Sequence, residues 1–219
     1  MPETFVEFRQ LGRTFRHGAT PVVALTGATA WVQAGDRIAV VGPSGCGKST
    51  LLHLMSGLDT PSEGYIAWPA LGDQASLRPH QVGFVFQTQS LLAPLTVVEN
   101  VELPLLLVGE PAETARARAL QTLAQIDLDA VAEKLPEELS GGQAQRVAVA
   151  RAFVGRPRLI LADEPSGQLD HPTAQHLFDV LLASLAESDT ALVVATHDLA
   201  IAERLPIPWR MRHGRLEAA

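Results

Sequence analysis

The octapeptide Gly42-Pro43-Ser44-Gly45-Cys46-Gly47-Lys48-Ser49, followed by Thr50, constrains this chain more than any other feature. It satisfies G-x-x-x-x-G-K-[ST] in full. It stands between an apolar stretch, Asp36 to Val41 (DRIAVV), and a segment, Lys48 to Leu58, that reads as a helix. A buried strand that ends in glycines and turns directly into a helix lets successive backbone N–H groups curl around an anion, and the helix N-terminus adds partial positive charge. In such a loop Lys48 reaches the β- and γ-phosphates and the Ser49 hydroxyl is a Mg²⁺ ligand. From average residue usage, a chance match in a chain this long is on the order of one in a hundred. A nucleotide site is therefore the expectation, but the loop does not say which kind of phosphate-loop protein carries it.

Phe5-Val6-Glu7-Phe8 and Ala30-Trp31-Val32 read as short strands of an edge sheet, and Tyr65–Trp68 and Val82–Phe86 as further strands. From Thr96 to about Gly155 the pattern is helical, with Ala-rich segments at Ala112–Ile126 and Gly142–Val154 separated by Pro136. Strand character returns at Leu159–Ala162 and Leu192–Ala195. Between them Leu177, Val180, Leu181 and Leu185 recur at helical spacing. Strands alternating with helices predict an α/β fold with a mainly parallel sheet, and the central helical block reads as an inserted lobe.

Composition narrows the function classes. The 219 residues, 47% of them hydrophobic, suffice for one full core. The net charge of −7 argues against a nucleic-acid partner. The lone Cys46 permits no internal disulfide and fits a reducing compartment. Met-Pro-Glu-Thr lacks the regions of a signal peptide. The longest apolar stretch, Val101–Val108, contains Glu102 and Pro104 and is far too short to span a bilayer, so any membrane role is expected to come through a partner.

Two more segments complete the nucleotide chemistry. Leu159-Ile160-Leu161-Ala162-Asp163 is an apolar strand ending in the carboxylate that a phosphate loop needs to hold Mg²⁺, and Glu164 beside it can polarise the attacking water as a general base. Leu139-Ser140-Gly141-Gly142-Gln143 gives an N-capping Ser140 and paired glycines that permit close approach to an anion. With this pentapeptide the chain resembles the ABC ATPases, whose signature it is. The resemblance covers nearly the whole sequence.

The resemblance implies a phosphate-loop NTPase (RecA-like) core with an N-terminal antiparallel β subdomain and an inserted α-helical subdomain. Residues 1–87 and 157–219 would form the ATP-binding core with the β subdomain, and 88–156 the signature lobe. It implies ATP and Mg²⁺ as cofactors, with Ser49, Gln87 and Asp163 toward the metal and Lys48, Gln87, Glu164 and His197 as the catalytic set. Gln87 matches the glutamine that contacts Mg²⁺ and senses the permease, and His197 the switch histidine near the γ-phosphate. Ser166-Gly167-Gln168-Leu169-Asp170 matches the loop that puts Asp170 at a dimer seam. Phe15 sits where the family stacks an aromatic ring on adenine, although the residues alone also allow it to pack in the edge sheet. Ser140, Gly141, Gly142 and Gln143 of one copy would close over ATP held by residues 42–50 of another, so the implied partners are a second copy of the chain and an integral membrane permease. The implied location is the cytoplasmic face of the inner membrane, peripheral through the permease.

The run Val82–Gln87 followed by Leu91–Pro104 is similar to the lipoprotein-releasing and macrolide-exporting branch. Two departures stand out: Trp68–Pro79 is shorter than usual there, and Gln168 stands where that branch often has Asn. Leu91, Leu92, Leu95, Val97 and Val98 are expected to leave apolar side chains on the surface for a permease helix, unless all five pack inside the lobe. Two other classes compete with a transport motor. A soluble ABC ATPase of cofactor assembly would carry the same motifs, and a binding-only scaffold would lack Lys48, Asp163, Glu164 or His197. His171, His176 and His213 match nothing and read as surface residues.

Overall fold

The computed structural model describes residues 2–17, 20–88 and 90–218. Its elements in chain order are β1 (Thr4–His17), β2 (Thr20–Gln33), β3 (Arg37–Val41), α1 (Lys48–Met55), β4 (Glu63–Ala67), β5 (Val82–Val85), α2 (Val97–Leu107), α3 (Ala112–Gln125), α4 (Gly141–Phe153), β6 (Leu159–Asp163), α5 (His171–Leu185), β7 (Ala191–Thr196), α6 (Leu199–Ala202), β8 (Ile207–Arg212) and β9 (Arg215–Ala218).

A six-stranded sheet in the order β5-β6-β7-β3-β8-β9 is parallel except for β9. Its central strands are buried on both faces, so they read as continuous apolar runs rather than alternating ones. The alternation reappears in what each residue touches. Ile160, Ala162, Leu192 and Val194 join a core with α2–α5. Leu159, Leu161, Val193 and Ala195 join a second core with α1 and the N-terminal strands. The parallel α/β sheet read from the sequence is thus present, and so is the antiparallel sheet, in the order β2-β1-β4.

Two details differ from the sequence expectation. β1 and β2 are not short: each runs 14 residues. Their register shifts between Phe8 and Leu11 and again on either side of Arg13. Such bulges reset which residues face inward, which hides the length of the strands from a period-two reading. The closing hairpin β8–β9 was also not anticipated; it turns at His213 and Gly214, both with positive φ.

Candidate functional site

Three neighbouring strands of the large sheet deliver the chemistry at their carboxyl ends, where open α/β sheets place ligands. The phosphate loop follows β3, Asp163 and Glu164 end β6, and His197 follows β7. Gln87, beyond β5, is exposed.

The phosphate loop is exposed at Pro43, Ser44 and Gly45 and anchored at buried Cys46. Gly47 has φ 105°, and a Cβ there would stand 2.4 Å from the Ala24 carbonyl oxygen and 3.1 Å from Met211 Cε. No other residue fits between β2 and β8 at that point. The loop is also bonded from below: Gly214 N–H donates to the Cys46 carbonyl at 3.1 Å, and Thr26 N–H to the Gly214 carbonyl at 2.8 Å. Met211 and Gly214 are site residues that the sequence reading missed. The available signal was the alternation of Trp209 and Met211 with Arg210 and Arg212 before a His-Gly turn.

Lys48 is buried, and its Nζ donates to the carbonyls of Gly42 at 2.9 Å and Pro43 at 3.4 Å. Nζ also lies 3.5 Å from Glu164 Oε1. The other carboxylate oxygen of Glu164 lies 2.8 Å from His197 Nδ1 and accepts the His197 backbone N–H at 3.3 Å. Glu164 itself sits at φ 48°, with its N–H bonded to the Ala195 carbonyl. A left-handed backbone at a non-glycine costs on the order of 1 kcal/mol or more, and the residue is held there by Lys48 of α1, Ala195 of β7 and His197 just beyond β7. Lys48, Glu164 and His197 thus form one connected group, and Gln87, the fourth residue the resemblance pointed to, makes no hydrogen bond or ion pair with it among the described residues.

Asp163 is 3% exposed, and its Oδ1 has no hydrogen-bond partner. Burial, with the neighbouring Glu164 carboxylate, pushes its carboxyl above the usual carboxylate range, against the opposing pull of Ser49, His53 and Lys48. An orphaned buried carboxylate oxygen beside a serine hydroxyl is a hard-oxygen donor set of the kind Mg²⁺ prefers. His53, on α1, is another neighbour that no motif announced.

Ser140 caps α4 in a reciprocal box: its Oγ accepts the Gln143 N–H at 3.2 Å, and Gln143 Oε1 accepts the Ser140 N–H at 2.9 Å. A Cβ on Gly142 would meet Leu169 Cδ2 at 3.2 Å and the Gln168 carbonyl oxygen at 3.3 Å. The signature therefore packs on the 166–170 loop of its own chain. Asp170 is exposed and caps α5 by accepting the Thr173 N–H at 2.9 Å, a bond that holds its carboxyl below the ordinary value. Phe15 is half-buried on β1, beside Val22 of β2. His171, His176 and His213 are exposed as expected, with His176 3.2 Å from Asp127.

The apolar run after Gln87 divides. Val97 and Val98 are core residues at 0% exposure, Leu91 and Leu95 are half-buried, and Leu92 is 44% exposed. Leu92 lines an apolar groove of about 380 Å³ together with Leu58, Phe84, Phe86, Leu103 and Leu107. Buried Asn100 holds this segment by accepting the Leu92 N–H and donating to the carbonyls of Leu92, Leu95 and Thr96. Arg151, in the last turn of α4, donates to both the carbonyl and the hydroxyl of Ser90. The helix that begins at the signature is thereby tied to the segment that begins at Gln87.

Comparison with known proteins identifies the family and the fold. The family profile described as ABC transporter matches residues 25–167. The lipoprotein-releasing system ATP-binding protein LolD of Legionella pneumophila (strain Paris) is 42% identical, covering 100% of this chain and 99% of that protein. The LolD of Pseudomonas syringae pv. tomato is 43% identical over 96% of both chains. The dimeric bacterial ABC transporter cassette MJ0796 superposes with a TM-score of 0.90 at 35% identity, over 97% of this chain and 96% of that one. A post-hydrolysis state of the same cassette, bound to ADP and phosphate, gives 0.90 at 34%, over 97% of this chain and 98% of that one. A profile spanning more than half of the chain and relatives above 40% identity along nearly all of it leave one conclusion: the chain belongs to the ABC transporter family, as one of its ATP-binding-cassette ATPases.

Proposed function

We propose that this chain is the ATP-hydrolysing motor of a membrane transporter of the lipoprotein-releasing type, working as a dimer around two ATP at the cytoplasmic face of the inner membrane. The observation that carries the catalytic part is the buried Glu164 carboxylate, clasped between Lys48 Nζ and His197 Nδ1 at the end of β6. In this reading residues 42–50 cradle the phosphates, Phe15 meets adenine, Glu164 takes the proton of the attacking water, and His197 holds Glu164 in line. Ser49, Asp163 and Gln87 would hold Mg²⁺, which supplies neutralisation of the phosphate charge.

The dimer rests on the exposed helix start at Ser140, which lies against its own 166–170 loop and so is free to face another copy's ATP; Asp170 would lie at that seam. The cassette neighbour is itself dimeric. No helix among the described residues is long and apolar enough to cross a membrane, so attachment would be through a permease helix seated in the groove at Leu92 and Leu107. Helices α2 to α4, within residues 88–156, would move as the lobe that links groove to signature. Whole-chain likeness to LolD proteins weighs against a soluble cofactor-assembly role.

The test is Glu164→Gln. It is expected to bind ATP, to hydrolyse it at least about a hundredfold more slowly, and to accumulate as an ATP-bound dimer on size-exclusion chromatography. Near-normal turnover would remove Glu164 from the role.

A further inference from the structure

Arg13 and Phe15 stand two residues apart on β1, and the Arg13 guanidinium carbon lies 4.7 Å from the centroid of the Phe15 ring. The guanidinium is not free. Its Nε donates to Asp59 Oδ2 at 2.8 Å and its Nη2 to Asp59 Oδ1 at 2.7 Å, with both side chains only about one-fifth exposed. This two-pronged geometry holds the guanidinium plane in place. The same seam is closed by Ser62 N–H on the Gly12 carbonyl at 2.8 Å and Thr14 N–H on Ser62 Oγ at 3.1 Å.

Asp59 and Ser62 belong to the connection that follows α1, the helix that starts at Lys48. The ring on β1 is thus tied through Arg13 to the helix that carries the phosphate loop. A planar ring has two faces, and with Arg13 on one, a nucleobase can stack only on the other. Arg13 also limits rotation of a side chain that β1 alone leaves half-exposed.

We infer that Arg13, held by Asp59, is a positioning residue for the nucleobase: it backs the Phe15 ring and sets the distance between base-binding and phosphate-binding ends of the site. This rests on the reading that Phe15 meets the base. The consequence is selective. Removing Arg13 weakens ligands that have an aromatic base and spares those that have only the triphosphate.

The experiment compares ATP with ribose 5′-triphosphate, which has the phosphates and sugar but no base, on wild type, Arg13→Ala, Asp59→Asn, Phe15→Ala and the Arg13→Ala/Phe15→Ala double variant. Arg13→Ala is expected to raise the KM and Kd for ATP about three- to tenfold, with kcat nearly unchanged and ribose triphosphate affinity unchanged. Asp59→Asn follows in the same direction by a smaller factor and serves if Arg13→Ala folds poorly. In the Phe15→Ala background the Arg13 change adds nothing, because it acts through the ring. Equal losses for both ligands in Arg13→Ala, tighter ATP binding, or full additivity with Phe15→Ala would each overturn the inference. Equal losses for both ligands in Phe15→Ala would refute the base contact itself. A base-selective loss in Phe15→Ala with none in Arg13→Ala would refute Arg13's part alone.

Discussion

Asp163→Asn separates what the site needs from what the fold prefers. The Asp163 carboxylate is 3% exposed with one oxygen unpartnered, and burial outweighs the help of Ser49, His53 and Lys48 enough to raise its pKa. A carboxyl whose pKa is raised on folding binds a proton more readily in the folded chain than in the unfolded one. Its charge therefore costs stability above the folded pKa, and that cost disappears as pH falls toward the unfolded value of about 3.9. Asparagine keeps the shape and an oxygen for Ser49 but removes the charge. With one buried polar atom still imperfectly satisfied, the net gain is expected to be about 1–2 kcal/mol, or roughly 2–8 °C in Tm for a chain of this size. The assay is thermal melting in EDTA without nucleotide at several pH values, repeated with ATP and Mg²⁺. Asp163→Asn is expected to melt higher than wild type at neutral pH in EDTA, the gap closing as pH falls. It is also expected to lose the extra stabilisation that ATP confers on wild type when Mg²⁺ is added. A variant that melts lower than wild type in EDTA at neutral pH, or a gap that does not change with pH, would refute the reasoning.

Two further outcomes test the packing and the groove. A Cβ on Gly83 would stand 2.1 Å from the Ala152 carbonyl oxygen, so Gly83→Ala is expected to force β5 and the end of α4 apart at a cost of about 1–3 kcal/mol, read as a fall in urea midpoint. Leu92→Arg changes a 44% exposed side chain on the groove rim and is expected to leave Tm within about 1–2 °C while abolishing co-purification with an integral membrane protein from detergent extract. Retained co-purification would move the permease contact away from this groove.

How legible each part was follows from what its sequence had to satisfy. The phosphate loop, β6 and β7 were plain because chemistry and burial dictate the same residues there: apolar runs for two-sided burial, then Asp163-Glu164 or Thr196-His197 at the strand end. β1 and β2 were half-read, since bulges at Gln10 and Arg13 break the alternation that would have shown their length. β8–β9 was unread although Trp209 and Met211 alternate with Arg210 and Arg212, because the run is short and Pro208 stands inside it. The Leu91–Val98 run shows a different limit. Apolar residues of one short segment went to core, half-buried positions and rim, and long-range partners that no local pattern shows hold them there: Asn100 for Leu92 and Leu95, the carbonyls of Lys134 and Ala132 for Val97 and Val98.

The local features of the site are individually unfavourable, and their concentration is itself informative. A buried ammonium at Lys48, an unpartnered buried carboxylate oxygen at Asp163 and a left-handed glutamate at Glu164 would each be selected against in a strand end that only had to fold. Lys48 and Glu164 are held by groups whose other side is apolar core, Gly42 just beyond β3 and Ala195 of β7, whereas Asp163, at the end of β6, keeps one oxygen without a partner. The two apolar layers that flank the central sheet supply the stability that this edge gives up. A charged edge on a packed sheet holds its dipoles in place before the phosphates arrive, so little reorganisation remains for the reaction itself. On that argument, substitutions that relax the edge raise the stability of the isolated chain and lower its turnover together. Substitutions in either core lower stability first, and turnover only as the fold is lost.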